Sequence, residues 1–316
     1  MPFAEVGDLR FAHDTFGDRS DPPVVLIMGL GSQMLAWRTG FCRALADRGL
    51  FVVRFDNRDI GLSTRVVPKR THPLWTLTLR QLGQRVDPPY SLVDMSNDVV
   101  GLMDALGIEA AHIVGASMGG MIAQLCAINH RARVLSLTSM MSTTGDRDLP
   151  GPEWRVRQWY FRPMAGKPED QVNDLVSIAR LVGSSTWFDE LDIRTYFERV
   201  VARSADRTGV PRQLLAVLSA RTRRGGLQRL SVPTLVLHGL DDTMLPPAHG
   251  VRTANTIPDA TLQLIPALGH DLPRALWNDI ASRIADHAHA AHPRVLRPSA
   301  WLEFSTKKTA ESHASR

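Results

Sequence analysis

The chain has 316 residues, enough to bury one large core, and its 44% hydrophobic and 22% charged fractions are those of an ordinary soluble globular protein. Its formal charge of +5 is concentrated, with 15 Lys/Arg against 11 Asp/Glu in residues 145–230 and 5 against 2 in residues 293–316. No stretch interleaves basic with aromatic residues and no nucleic-acid module occurs, so the excess reads as a solvated Arg-rich surface; a mild preference for anionic substrates or membrane surfaces stays open.

In chain order, the first residues carry neither a basic n-region nor an apolar h-region, so no secretory signal is expected. Glu5 to Phe16 is expected as an antiparallel pair at a sheet edge. Val24 to Met28 reads as a strand buried on both faces, bounded by Pro22-Pro23 and Gly29. A helix is expected from Met34 to Arg48, stopped by Gly49, and Phe51 to Phe55 as the next strand. Asp94 to Leu106 predicts a helix stopped by Gly107, followed by a strand at His112 to Val114 and a helix from Met118 to about Ile128. Further strands are expected at Val134 to Met140, Thr234 to Leu237 and Leu262 to Ile265. Short apolar runs alternating with amphipathic stretches predict a parallel sheet with crossover helices.

Residues 145–230 break that rhythm. They hold Trp154, Trp159 and Trp187 within helical patterns such as Gln171 to Leu181, as an inserted helical cap would, its aromatic and apolar residues covering a pocket. The expected organisation is therefore a core of 1–144 and 231–292, a cap of 145–230, and a flexible polar extension of 293–316. No apolar stretch is long enough to cross a bilayer, so no stable membrane insertion is expected. Cys42 and Cys126 share no ligand spacing and read as buried thiols of a cytoplasmic protein.

The chemistry-bearing motif is Gly115-Ala116-Ser117-Met118-Gly119, set after the apolar run Ala111 to Val114. A serine between strand and helix sits on a tight turn that projects its hydroxyl, and glycines flank it because a Cβ there would clash. The pentapeptide alone also fits a purely structural turn. A serine nucleophile needs a histidine to take its proton and a carboxylate to orient that histidine. Asp241 and Asp242 follow the strand at Thr234 to Leu237, and His270 follows the last strand in Gly269-His270-Asp271, in the order serine, acid, histidine.

Other motifs read as structure. Asp56-x-Arg58-x-x-Gly61-x-Ser63 is expected as a loop held by an Asp–Arg pair with glycine at a tight bend. His287, His289 and His292 do not share one helical face, so they are expected as surface histidines and no metal site is assigned.

With these stretches and Leu26-Ile27-Met28-Gly29-Leu30-Gly31, Arg54 to Ser63 and His238-Gly239-Leu240-Asp241-Asp242, residues 3–292 resemble the α/β-hydrolase fold superfamily. Within it they resemble the bacterial serine-esterase branch that includes aclacinomycin methylesterase. That resemblance implies a mostly parallel central sheet flanked by helices, with an inserted helical cap. It further implies Ser117 as nucleophile, His270 as general base and then acid, and Asp242 as the acid, from the pattern Gly239-x-x-Asp242-x-x-x-Pro246, with Asp241 as the alternative. The oxyanion hole would use the backbone N–H groups of Leu30 and Met118. Met28 stands where the family usually has histidine, a departure shared with the methylesterase branch.

The implied activity is cofactor-independent hydrolysis of a small-molecule carboxylic ester through an acyl-serine, with methyl esters of bulky apolar acids suggested by that branch. Thioesterase, lactonase and carbon–carbon-bond hydrolase readings use the same triad, and the basic cap disfavours an aminopeptidase. A non-catalytic ligand-binding receptor on the same fold is the alternative of another class. No nucleic-acid partner is expected, and the oligomeric state is left open.

Overall fold

The computed structural model describes residues 1–66, 88–160 and 167–292, without the side chains of 159 and 160. The expected extension at 293–316 and the Trp159 side chain lie outside the described residues.

The expected edge pair forms as β1, Phe3–Val6, and β2, Leu9–Phe16, antiparallel across a two-residue turn where Gly7 takes φ 56°. The parallel strands are β3, Pro23–Ile27; β4, Phe51–Phe55; β5, Ala111–Ala116; β6, Val134–Met140; β7, Thr234–Gly239; and β8, Thr261–Ile265. They make one eight-stranded sheet in the order β1-β2-β4-β3-β5-β6-β7-β8. Strand alternation divides the core. Val24 and Leu26 pack on one face with Trp37, Phe41 and Ile284, whereas Val25 and Ile27 pack on the other with Met95, Val99 and Ile122.

Helix α1, Thr39–Ala46, and helix α10, Trp277–Ala291, cover the first face. Helices α2, Leu92–Ala105, and α3, Met118–Asn129, cover the second. Helix α2 opens on a full capping box between Ser91 and Asp94, which satisfies two amides the helix cannot. The single helix expected from Met34 to Arg48 does not form. Met34–Ala36 is a 3-10 turn, and Trp37 and Arg38 leave helical geometry before α1. Tertiary contacts override the propensity. The Asp56 carboxylate takes the Met34 amide at 2.7 Å, the Arg54 side chain takes the Trp37 carbonyl, and Trp37 stacks on Phe41.

Between β6 and β7 lie α4, Trp154–Tyr160; α5, Pro168–Val182; α6, Glu190–Arg203; α7, Val210–Ser219; and α8, Arg224–Leu227. Helices α5 and α6 share a small cluster of Val172, Val176 and Val201, while Ala216 and Leu227 join the main core. Trp154 lies at the surface. It is 61% exposed, and Val156, two residues on and so on the opposite side of α4, is the buried residue. Among the described residues no helix is long and apolar enough to cross a membrane. Helix α9, Ala248–Thr256, links β7 to β8.

Candidate active site

Ser117 ends β5 and opens α3 with φ 56° and ψ −120°, a strained backbone for a residue with a side chain. The flanking glycines are compelled by contact. A Cβ on Gly115 would lie 2.1 Å from the Gly119 carbonyl oxygen, and one on Gly119 would lie 2.1 Å from that of Ile27. Gly120 likewise faces the Ser142 side chain, whose Oγ donates to the Ser117 carbonyl at 2.8 Å. Ser117 itself is half-buried.

The β3 loop passes directly beside it. A Cβ on Gly29 would come within 3.1 Å of Ser117 Cβ and 3.6 Å of Ser117 Oγ. Among the described residues the backbone amides of Leu30, next in that loop, and Met118, first in α3, meet no acceptor. Asn57 after β4 holds the loop through its Nδ2, which donates to the Met28 carbonyl at 2.8 Å.

Asp242 and His270 meet across neighbouring strands, at the ends of β7 and β8. His270 Nδ1 lies 2.8 Å from Asp242 Oδ2, and the Met244 and Leu245 amides donate to Oδ1 at 2.9 and 2.8 Å. Asp241 is exposed, and its amide donates to the Leu268 carbonyl. Burial alone would push the Asp242 carboxyl up. His270 beside it, with hydrogen bonds from His238, His270 and the Leu245 amide, instead holds it well below the usual carboxylate range. A carboxylate accepts only, so the His270 proton belongs on Nδ1 and Nε2 is left with its lone pair.

Three contributors were not legible as site residues. His238, fully buried on β7, places Nε2 3.4 Å from Asp242 Oδ2 and 2.7 Å from the Leu245 carbonyl. Ser184, just after α5, accepts the Gly269 amide at 2.9 Å and donates to Asp271 Oδ1 at 2.5 Å, while the His270 amide donates to the Val182 carbonyl at 2.7 Å. A Cβ on Gly269 would meet the Gly183 backbone at 2.5 Å, so that glycine permits the closeness. Burial pushes the Asp271 carboxyl up against the Ser184 hydrogen bonds.

The third is Arg203, which corrects the reading of the Asp56 loop. Asp56 pairs with Arg203 of α6 at 2.7 Å, not with Arg58, which grips both oxygens of Asp98. Residues two apart on this loop face different elements. Gly61 does sit at a bend, with φ 59° and its missing Cβ replaced by the Asp56 carboxylate. His289 is exposed as expected, but His287 and His292 are less superficial. His292 Nδ1 reaches His112 Nε2 at 3.2 Å and His287 is half-buried, because the helix lies on the sheet. Among the described residues no group of three metal-ligating side chains converges.

A family model described as alpha/beta hydrolase fold matches residues 22–273. The chain is 30% identical over 296 residues to rhodomycin D methylesterase DauP of Streptomyces sp. (strain C5), covering 87% of this chain and 93% of that protein. It is 29% identical, with the same coverage, to rhodomycin D methylesterase DnrP of Streptomyces peucetius. Its fold resembles the enol-lactonase from Burkholderia xenovorans LB400, with a TM-score of 0.69 at 22% identity, over 90% of this chain and 99% of that one. It also resembles a meta-cleavage product hydrolase from Pseudomonas fluorescens IP01, with a TM-score of 0.72 at 20% identity, over 92% and 98%.

Proposed function

The chain belongs to the α/β-hydrolase fold family, and from that premise we propose that it hydrolyses carboxylic esters through an acyl-serine on Ser117. The observation that carries the reading is the 2.8 Å contact between Asp242 Oδ2 and His270 Nδ1, which leaves Nε2 as a base at the carboxyl end of the sheet that presents Ser117. Ser117 Oγ adds to the ester carbonyl as its proton passes to His270 Nε2. The amides of Leu30 and Met118 hold the oxyanion, where each donor contributes on the order of 3 kcal/mol. The proton then goes to the departing alkoxide, which leaves as the alcohol. Water gives a proton to His270, adds to the acyl-serine and releases the acid, and the proton returns to Ser117.

Residues 145–230 form the substrate-selecting cap in this reading, and the protein acts in the cytoplasm on a small molecule. Methyl esters of bulky apolar acids are the first substrates to try, because the two methylesterases match almost end to end. A lactone belongs in the same panel, since 3-oxoadipate enol-lactonase 2 of Acinetobacter baylyi is 25% identical. The test is hydrolysis of short p-nitrophenyl esters by the wild type and by Ser117→Ala. The variant is expected to lose activity by about 10⁴-fold or more with thermal unfolding nearly unchanged. Turnover within tenfold of wild type would remove Ser117 as nucleophile.

A further inference from the structure

Other arginines that join the inserted helices to the core have partners. Arg203 pairs with Asp56 at 2.7 Å, and Arg212 grips both oxygens of Asp59 at 2.8 Å. Arg38 on the core pairs with Asp192 of α6, and Arg223 donates to Gln124 Oε1 and the Thr143 carbonyl at 2.9 and 2.7 Å. Arg207 is the exception. It lies between α6 and α7, half-buried, and among the described residues its guanidinium makes no hydrogen bond or ion pair.

Its position is specific. Arg207 Nη2 stands 3.7 Å from where a Cβ would lie on Gly31, the residue after Leu30 in the loop beside Ser117. The same glycine is fixed from the cap by Gln213, whose Oε1 accepts the Gly31 amide at 2.9 Å, and by contact with Val210. Burial pulls the guanidinium below its ordinary value, which Asp174 and Tyr196 only partly counter. Yet its nitrogens are not sealed, unlike Arg203 Nε and Arg54 Nε, which are buried without an acceptor. A partly desolvated cation with five donors and no partner among the described residues, set beside the loop that passes Ser117, is suited to an anion that arrives with the ligand.

We propose that Arg207 binds a carboxylate of the substrate, so that the enzyme takes esters whose acid part carries a second, free carboxylate close to the scissile carbonyl. This rests on the ester-hydrolase reading. A planar carboxylate matches one guanidinium fork, whereas a phosphate dianion would leave most of its charge unmet by a single arginine. The proximity of Gly31 to Leu30 puts the two carbonyl groups of the substrate a short chain apart.

The test compares monomethyl glutarate with methyl valerate for the wild type, Arg207→Gln and Arg207→Lys. The ratio of kcat/KM for the monoester to that for the neutral ester is expected to fall at least fivefold in Arg207→Gln, chiefly through KM, with partial recovery in Arg207→Lys. A smaller fall overturns the proposal, as does stronger competitive inhibition of methyl valerate hydrolysis by inorganic phosphate than by glutarate. Calorimetric binding of glutarate to Ser117→Ala, with and without Arg207→Gln, separates the two readings. If no ester is hydrolysed but glutarate binding depends on Arg207, the hydrolase reading fails and the anion subsite stands; if binding is indifferent to Arg207, the subsite fails.

Discussion

Two aspartates stand side by side after β7, and the backbone turns only one of them to the histidine. Asp242 uses one oxygen for the Met244 and Leu245 amides and the other for His270, while Asp241 faces solvent. An asparagine at 242 would keep its oxygen on the two amides and turn its amide nitrogen to His270. That donor forces the His270 proton onto Nε2, where it cannot accept from Ser117. Asp242→Asn is therefore expected to lower kcat by about 10³–10⁴-fold, and Asp241→Asn to stay within about threefold, in p-nitrophenyl ester assays. The reverse ranking would assign the acid to Asp241. Ser117 was legible because Gly115 and Gly119 mark places where backbone passes within Cβ distance, a constraint written as residue identity. Asp242 was readable only as an offset from Gly239 and Pro246, with Asp241 as the alternative; the structure turns Asp242 to His270 and Asp241 to solvent. His238, Ser184 and Arg203 carried no such mark, since their roles arise where distant segments meet.

At the scale of elements, the strands were the readable part. Val24 to Leu26 and Phe51 to Phe55 are buried along their length, so a wholly apolar run in the first and an apolar run broken only by Arg54 in the second announce them. The segment after β3 was not readable, because buried side chains of β4 and its loop claim its backbone groups. The helices between β6 and β7 meet the histidine loop through the Val182 carbonyl and the Ser184 hydroxyl. Ser184→Ala leaves the Gly269 amide and the Asp271 carboxyl without their shared partner, at a cost of about 1–3 kcal/mol. We expect kcat to fall severalfold with little change in KM, read against Tm, and Gly269→Ala to be worse because its Cβ meets the Gly183 backbone. Activity of Ser184→Ala equal to wild type would make the clamp irrelevant to His270. On β5, burial and the neighbouring His292 pull the His112 imidazole down to about 3. Its folded value lies below its ordinary 6.5, so the unfolded chain takes up the proton first and stability falls as pH drops from 6.5 toward 3. The slope contributed approaches about 1.4 kcal/mol per pH unit. His112→Asn is expected to be less stable at pH 7 but to lose less between pH 7 and 4.5 in denaturant titrations; an unchanged loss would place that acid sensitivity elsewhere.

For the whole molecule, the question is whether the inserted helices behave as a separate body. Arg203, Arg212 and Asp192 tie them to Asp56, Asp59 and Arg38 of the core, and the first two carboxylates are fully buried. Asp59 is the more demanding of these. It holds φ 71°, receives the Tyr90 hydroxyl at 2.7 Å and the Val66 amide at 2.8 Å, and takes both arms of Arg212. Removing the arginine leaves a buried carboxylate with two neutral donors and no countercharge. Arg212→Met is therefore expected to destabilise by about 3–5 kcal/mol, far above the worth of an exposed pair, which is at most about 1 kcal/mol. Adding Asp59→Asn removes the stranded charge and should recover part of the loss. Because the ties enter the same carboxyl-end loops that carry the site, the wild type should unfold in one transition, with tryptophan fluorescence and far-ultraviolet circular dichroism coincident in denaturant. A loss below about 1 kcal/mol in Arg212→Met would reduce the pair to a surface contact, and separated transitions in the wild type would show the cap folding apart from the sheet.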